Sequence, residues 1–283
     1  MPLLELEDGA MLAYADQGAG PPVLLVHGWA AHGGFFDSLR DRFSKTHRVI
    51  VPTLRGHPGA GHGPAPLTIE TLGSDLAQLA EALDLHGLTA IGWSMGAMAV
   101  WAGSERLSER LQAIVVTEMG PKLVNCDEWR LGLGGGYTLD DAAATLNDIR
   151  TDWPAYVARF APRMFSSETR MNSPELVRWA TEEMTKADSS AMAALWSSMV
   201  NQDFRPALRE IAAPTLVIRG GASSVHPDGA TQFVAAATRG MRVTIPGAGH
   251  VPHLEAPDLF FELVEAFARN PRRRDALGEG VRP

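Results

Sequence analysis

One cysteine, Cys126, occurs in 283 residues, so the chain can form no internal disulfide and no cysteine-based metal cluster, as suits a reducing compartment. Long apolar runs are missing as well. The most apolar stretch, "AIGWSMGAMAVWAG", is interrupted by Ser94 and several glycines and falls short of the ~18 uninterrupted apolar residues of a membrane-spanning helix. The start, "MPLLELEDGAML", carries Glu5, Glu7 and Asp8 and has neither the basic segment nor the apolar core of a secretory signal. A cytoplasmic location is the expectation. Positive charge is scarce: the net charge is −8, and the basic residues are scattered except for Arg272, Arg273 and Arg274. No electrostatic reason remains to bind nucleic acid or an anionic membrane, and small molecules are the expected partners. What is abundant is core material, with 45% hydrophobic and only 20% charged residues.

Six short β-rich runs punctuate the chain: 23–26, 48–52, 88–92, 111–116, 213–220 and 241–246. Helical periodicity fills most of the intervals, as in 68–87, where Ile69, Leu72, Leu76, Leu79 and Leu83 recur at three- and four-residue steps before Gly87. This alternation predicts an α/β fold with a doubly wound, mostly parallel sheet. From Pro121 to about Arg209 no strand is legible, and four of the seven tryptophans fall there. The division expected is a core of 1–120 and 210–270, a helical cap of 121–209 and a frayed tail of 271–283. The cap would lie over the carboxyl edge of the sheet, where such sheets bind ligands. Its Tyr137, Trp153, Met164 and Trp196 are candidates for the wall of an apolar substrate pocket. The "GLGGG" at 132–136 fits a hinge better than a phosphate loop.

"GWSMG" at 92–96 fits G-x-S-x-G between an apolar strand and an Ala/Met-rich helix, the setting of an activated serine lifted out of a sharp turn. Ser94 is the candidate nucleophile. In "VHGWA" at 26–30 the N–H of Trp29 can join that of Met95 in holding the oxygen of a tetrahedral intermediate. His27 reads as a structural imidazole bonded to nearby backbone. The general base expected is His250, in "GAGHVPHLEAP" after the last strand; His253 is expected to face the loop or solvent, and His57 or His62 to approach a pocket mouth. No metal or other cofactor is implied by these residues.

In this order, strand then "HGW", strand then "LRGH", the "GWSMG" elbow, a helical cap and a late "GAGHVPHLE", the chain resembles the α/β-hydrolase superfamily over almost its whole length. "GWSMG" with "HGW" also resembles the pimeloyl-carrier methyl esterase branch. A serine at position 94 argues against the dehalogenase and epoxide hydrolase branches, whose elbow nucleophile is Asp. The resemblance implies a triad acid in G-x-x-D after the penultimate strand, but "RGGASSVHP" has Ser223 and Ser224 there. Loss of that acid costs roughly 10⁴-fold in turnover. Some branches with similar motifs, zearalenone-type lactonases among them, carry the acid at the end of the strand that follows the elbow helix, where this chain has Glu118; Asp228 and Glu255 are the alternatives. A second departure is "PTLRGHPGAGHG", with Thr53 where relatives have Asp; Arg55 is expected to brace that loop.

The activity implied is that of a serine hydrolase cleaving a carboxylic ester or lactone through an acyl-enzyme. Two other readings fit the same scaffold: a cofactor-free carbon–carbon hydrolase or dioxygenase acting on an aromatic ring, and a binder of small molecules without turnover.

Overall fold

The run Val23–Val26 sits at the centre of the molecule because water reaches neither of its faces: all four side chains are fully buried. A strand buried on both sides needs parallel neighbours with helices above and below, and needs to be apolar throughout rather than alternating. The structure, a computed structural model, describes residues 1–272. Eight strands form one sheet: β1 Leu3–Glu5, β2 Met11–Gln17, β3 Pro22–Val26, β4 Arg48–Pro52, β5 Leu88–Trp93, β6 Leu111–Thr117, β7 Thr215–Gly220 and β8 Met241–Ile245. Their spatial order is β1-β2-β4-β3-β5-β6-β7-β8. From β4 to β8 every pairing is parallel, while β1 and β2 join antiparallel at one edge.

This is the doubly wound, mostly parallel sheet that the alternation predicts, extended by a hairpin that it does not. The turn signal for the hairpin is Asp8-Gly9, with Gly9 at φ 81°, but the flanking strands are short and partly exposed, so their apolar pattern is weak.

The connection from β3 runs outward to β4, and the next one returns across β3 to β5. Right-handed crossovers therefore put the helices Asp37–Phe43 and Ile69–Ala82 on opposite faces. The reversal also opens a crevice between the carboxyl ends of β3 and β5, the place where such sheets take ligands. Trp29 follows β3 and Ser94 follows β5.

Between β6 and β7 the chain is helical, with Leu139–Thr151, Trp153–Phe160, Ser167–Asn172, Pro174–Thr185 and Ser189–Val200 as its main elements. Thr138 starts the first of these with a reciprocal cap to Asp141, and Asp188 caps the last. Among the described residues no helix is long and apolar enough to cross a membrane. The tail expected over 271–283 lies, from residue 273 onward, outside the described residues.

Candidate active site

Strand β5 ends at Trp93 and the helix Met95–Gly103 begins at the second residue after it, which leaves Ser94 alone in the turn at φ 52° and ψ −123°. A residue with a side chain adopts such a backbone only when its surroundings impose it. Here they do: a Cβ on Gly92 would stand 2.5 Å from Cα of Ala97, and one on Gly96 would stand 2.2 Å from the carbonyl oxygen of Val26. Glycine at both positions lets strand, turn and helix nest against β3. The Ser94 N–H donates to the carbonyl of Thr117 at 2.9 Å, tying the elbow to the end of β6. Met95, the first helical residue, has an N–H with no acceptor inside its own helix.

His27 is held by two hydrogen bonds. Its Nε2 accepts from the N–H of Leu54 at 3.0 Å, which leaves the proton on Nδ1 to be donated to the carbonyl of Gly28 at 2.9 Å. Burial, then the neighbouring His57, keep its pKa well below the usual imidazole value. It fastens the turn after β3 to the loop after β4, as a structural imidazole would. His57 is buried with its Nδ1 turned to backbone carbonyls, whereas His62 is exposed.

Glu118 directly follows β6, at φ 53°, and its N–H donates to the carbonyl of Ile218 at 2.9 Å. The carboxylate is wholly buried. Its Oε1 accepts the N–H of Gly220 at 2.8 Å; its Oε2 accepts the hydroxyl of Ser223 at 2.6 Å and Nδ1–H of His250 at 3.1 Å. Burial by itself would favour the neutral acid. The hydrogen bond and charge of His250, the nearby His226 and the Ser223 hydroxyl outweigh it and keep the carboxyl below its ordinary pKa. Of the two serines in the 219–227 loop, Ser223 thus contacts the acid, while Ser224 is exposed. Asp228 is elsewhere: its side chain is 60% exposed and pairs with Arg242 and, at 3.4 Å, with Arg219. Glu255 is also otherwise engaged, accepting the N–H groups of Ser166 and Gly249.

His250 is oriented from its backbone as well as from its ring. Its N–H donates to the carbonyl of Met164 at 2.6 Å, and its own carbonyl accepts the indole N–H of Trp93 at 2.9 Å. His253, expected in the loop or solvent, is instead 1% exposed, because Pro252 opens the short helix Pro252–Glu255 and turns the next side chain inward. Its ring lies 4.7 Å from that of Trp93 and 4.9 Å from that of Phe36. Burial and the neighbouring His250 push its pKa down to about 3.

Ser94 and His250 share the wall of a cavity of about 50 Å³ with Trp29, Trp93, Met119, Leu123, Leu133, Phe160, Met164, Trp196, Met199, Val225 and His226. Trp196 and Met164 are thus both on the wall of the cavity that Ser94 and His250 share. Trp153 and Tyr137 do not line this cavity; they stand behind it. The ring of Trp153 meets that of Trp29 edge-on at 5.3 Å and its indole donates to the carbonyl of Thr185, while the hydroxyl of Tyr137 pairs with that of Thr145 at 2.6 Å. Helix positions alone could not tell a wall residue from its support. The sequence also gave no warning of Val225 and His226, whose signal is position: they follow the serines in the loop after the penultimate strand. Leu133 belongs to the glycine-rich segment expected as a hinge, which is instead anchored, Gly134 donating its N–H to the carbonyl of Val225 at 3.0 Å. Among the described residues, no three His, Cys, Asp or Glu gather in a group that could hold a metal ion.

Among curated proteins, the chain is similar to a pimeloyl-[acyl-carrier protein] methyl ester esterase of Nitrosospira multiformis, 28% identical over 258 residues that cover 89% of this chain and 96% of that one. It is also similar to 3-oxoadipate enol-lactonase 2 of Acinetobacter baylyi, 25% identical over 225 residues, or 79% of each. Among solved structures, an esterase from Exiguobacterium antarcticum shares the fold with a TM-score of 0.87 at 21% identity, over 95% of this chain and 99% of that one. Residues 23–263 match the alpha/beta hydrolase family; that span takes in the sheet from β3 onward, the elbow, Glu118 and His250, and the chain belongs to this family.

Proposed function

We propose that the chain is a serine hydrolase of carboxylic esters or lactones. The observation that carries this reading is the buried Glu118–His250 pair at 3.1 Å, whose imidazole lines one apolar cavity together with Ser94. In the proposed cycle, Ser94 Oγ attacks the ester carbonyl while its proton passes to Nε2 of His250, and the N–H groups of Trp29 and Met95 hold the resulting oxyanion. Glu118 fixes the ring through Nδ1–H and stabilises the imidazolium. That imidazolium returns the proton to the departing alkoxide, leaving an acyl group on Ser94. Water then attacks the acyl carbon, giving one proton to His250; the acid leaves, and Ser94 recovers its proton. The sequence likeness to an ester hydrolase and a lactonase supports this bond class, and the physiological substrate is part of the proposal.

The test is hydrolysis of p-nitrophenyl esters of increasing acyl length by wild type, Ser94→Ala and Glu118→Gln. Wild type should turn over, Ser94→Ala should lose more than about 10⁴-fold in kcat, and Glu118→Gln about 10³–10⁴-fold. Hydrolysis that survives Ser94→Ala would overturn the reading. Oxygen uptake from a flat aromatic substrate by that variant would move the chain to the cofactor-free dioxygenases.

A further inference from the structure

The loop that lacks the expected acid contributes a second side chain to the site. His226 is 3% exposed, stands on the cavity wall, and has its ring centre 5.7 Å from that of His250. Neither ring nitrogen finds a hydrogen-bond partner among the described residues: Nδ1 is shut in beside Gly120, and Nε2 is the one left with open surface. A buried imidazole with an unmatched nitrogen is costly and calls for an explanation. The rest of the wall supplies none: apart from Ser94 and His250, His226 is the one residue there whose side chain can both donate and accept a hydrogen bond. The indoles of Trp29 and Trp93 already donate, to the carbonyls of Met192 and His250, while that of Trp196 finds no partner among the described residues and can only donate.

We propose that His226 is the specificity-determining residue of this cavity, pairing with an uncharged hydroxyl or keto oxygen on an otherwise apolar ester or lactone. The inference rests on the esterase reading and narrows it to a substrate class. A second oxygen is the match for His226 because, beyond the reacting carbonyl, the remaining wall offers a substrate only apolar contact and the indole N–H of Trp196, which can donate but not accept. That oxygen is uncharged for two reasons. No Lys or Arg lines the cavity, so a carboxylate there would be buried without a partner. And His226 does not become that partner: burial, then the charge on His250, lower its pKa to about 3, and a second imidazolium beside the one formed on His250 during turnover is disfavoured. A neutral imidazole can present either N–H or a lone pair, so hydroxyl and keto groups are both accommodated.

The test compares kcat/KM for methyl hexanoate, methyl 3-hydroxyhexanoate, methyl 5-oxohexanoate and monomethyl adipate with wild type, His226→Leu and His226→Gln, following methanol release. In wild type at least one oxygenated ester should exceed hexanoate by about tenfold, the scale of one matched hydrogen bond, and monomethyl adipate should fall about 100-fold below it. His226→Leu should bring the oxygenated-to-plain ratio to about one, and His226→Gln, which still donates and accepts, should retain part of it. A ratio unchanged by His226→Leu, or a wild type that favours the adipate ester, would overturn the inference. If His226→Leu does not fold, the wild-type ratio and its partial retention in His226→Gln decide the matter. Turnover of hexanoate without preference defeats this inference alone; a wild type inert on all four esters defeats the esterase reading and this inference with it.

Discussion

A carboxylate shut away from water stays ionised only if its lone pairs are matched, and Glu118 has its two oxygens shared among Gly220, Ser223 and His250. Ser223 is the substitutable one. Replacing it by Ala leaves Oε2 with the imidazole as its sole partner, so the carboxylate swings more freely and holds the ring less well. We expect Ser223→Ala to lower kcat on a p-nitrophenyl ester about tenfold with KM little changed, and Ser223→Thr to recover most of the loss; steady-state kinetics checks both. A drop confined to KM would assign Ser223 to substrate contact instead. Glu118 could be singled out because it closes an apolar strand at the place where branches of the family that the chain resembles carry an acid. Its partnership with Ser223 was not, since a serine that donates one hydrogen bond from a loop has no spacing of its own. His226 was hidden for a related reason: a histidine before a proline looks the same whether it faces solvent or a cavity.

At the level of elements, the loop after β4 shows how a departure in sequence is absorbed. Thr53 cannot supply the charge of the Asp that the resemblance leads one to expect there, yet Arg55 remains 3% exposed and forms a fork on Asp75 at 2.7 and 2.9 Å, with Asp8 at 2.6 Å on its other nitrogen. One guanidinium thus joins the loop, the helix Ile69–Ala82 and the N-terminal hairpin. Removing it would leave Asp75 buried and unpaired. Urea denaturation should find Arg55→Met destabilised by about 3–5 kcal/mol and the double variant Arg55→Met/Asp75→Asn by clearly less. Equal losses would mean that Asp75 is relieved by water. The anchoring role of Arg55 could be anticipated from the motif, but its partners could not, because Asp8 belongs to the hairpin that the pattern of β1 and β2 was too short to reveal. Strands buried on both faces, such as β3 and β5, declare themselves as unbroken apolar runs; edge strands do not.

At the scale of the whole molecule, four of the nine histidines lie where burial opposes their charging. Burial holds His226 and His253 to about 3 and His57 to about 4, and His27 lies well below its ordinary value. Unfolding frees each of them to titrate near 6.5, so between these limits the unfolded chain binds more protons than the folded one. Stability from this source is complete above about pH 6.5 and is lost as the pH falls, at about 1.4 kcal/mol per pH unit for each imidazole. Urea midpoints measured from pH 7 to pH 5 should decline steeply, and His253→Leu should flatten the slope by about one proton. An unchanged slope would remove His253 from the account. The same view of the molecule joins two features already described. The indole of Trp29 donates to the carbonyl of Met192 at 3.0 Å, so the residue whose amide is assigned to the oxyanion also clasps the helix Ser189–Val200. The space beneath that helix is small, about 50 Å³ against the 300–1,000 Å³ of ordinary ligand pockets. One side chain therefore ties the backbone proposed to cradle the anion to the helix that roofs the cavity, and a substitution in Ser189–Val200 that displaces the Met192 carbonyl is expected to be felt at that amide.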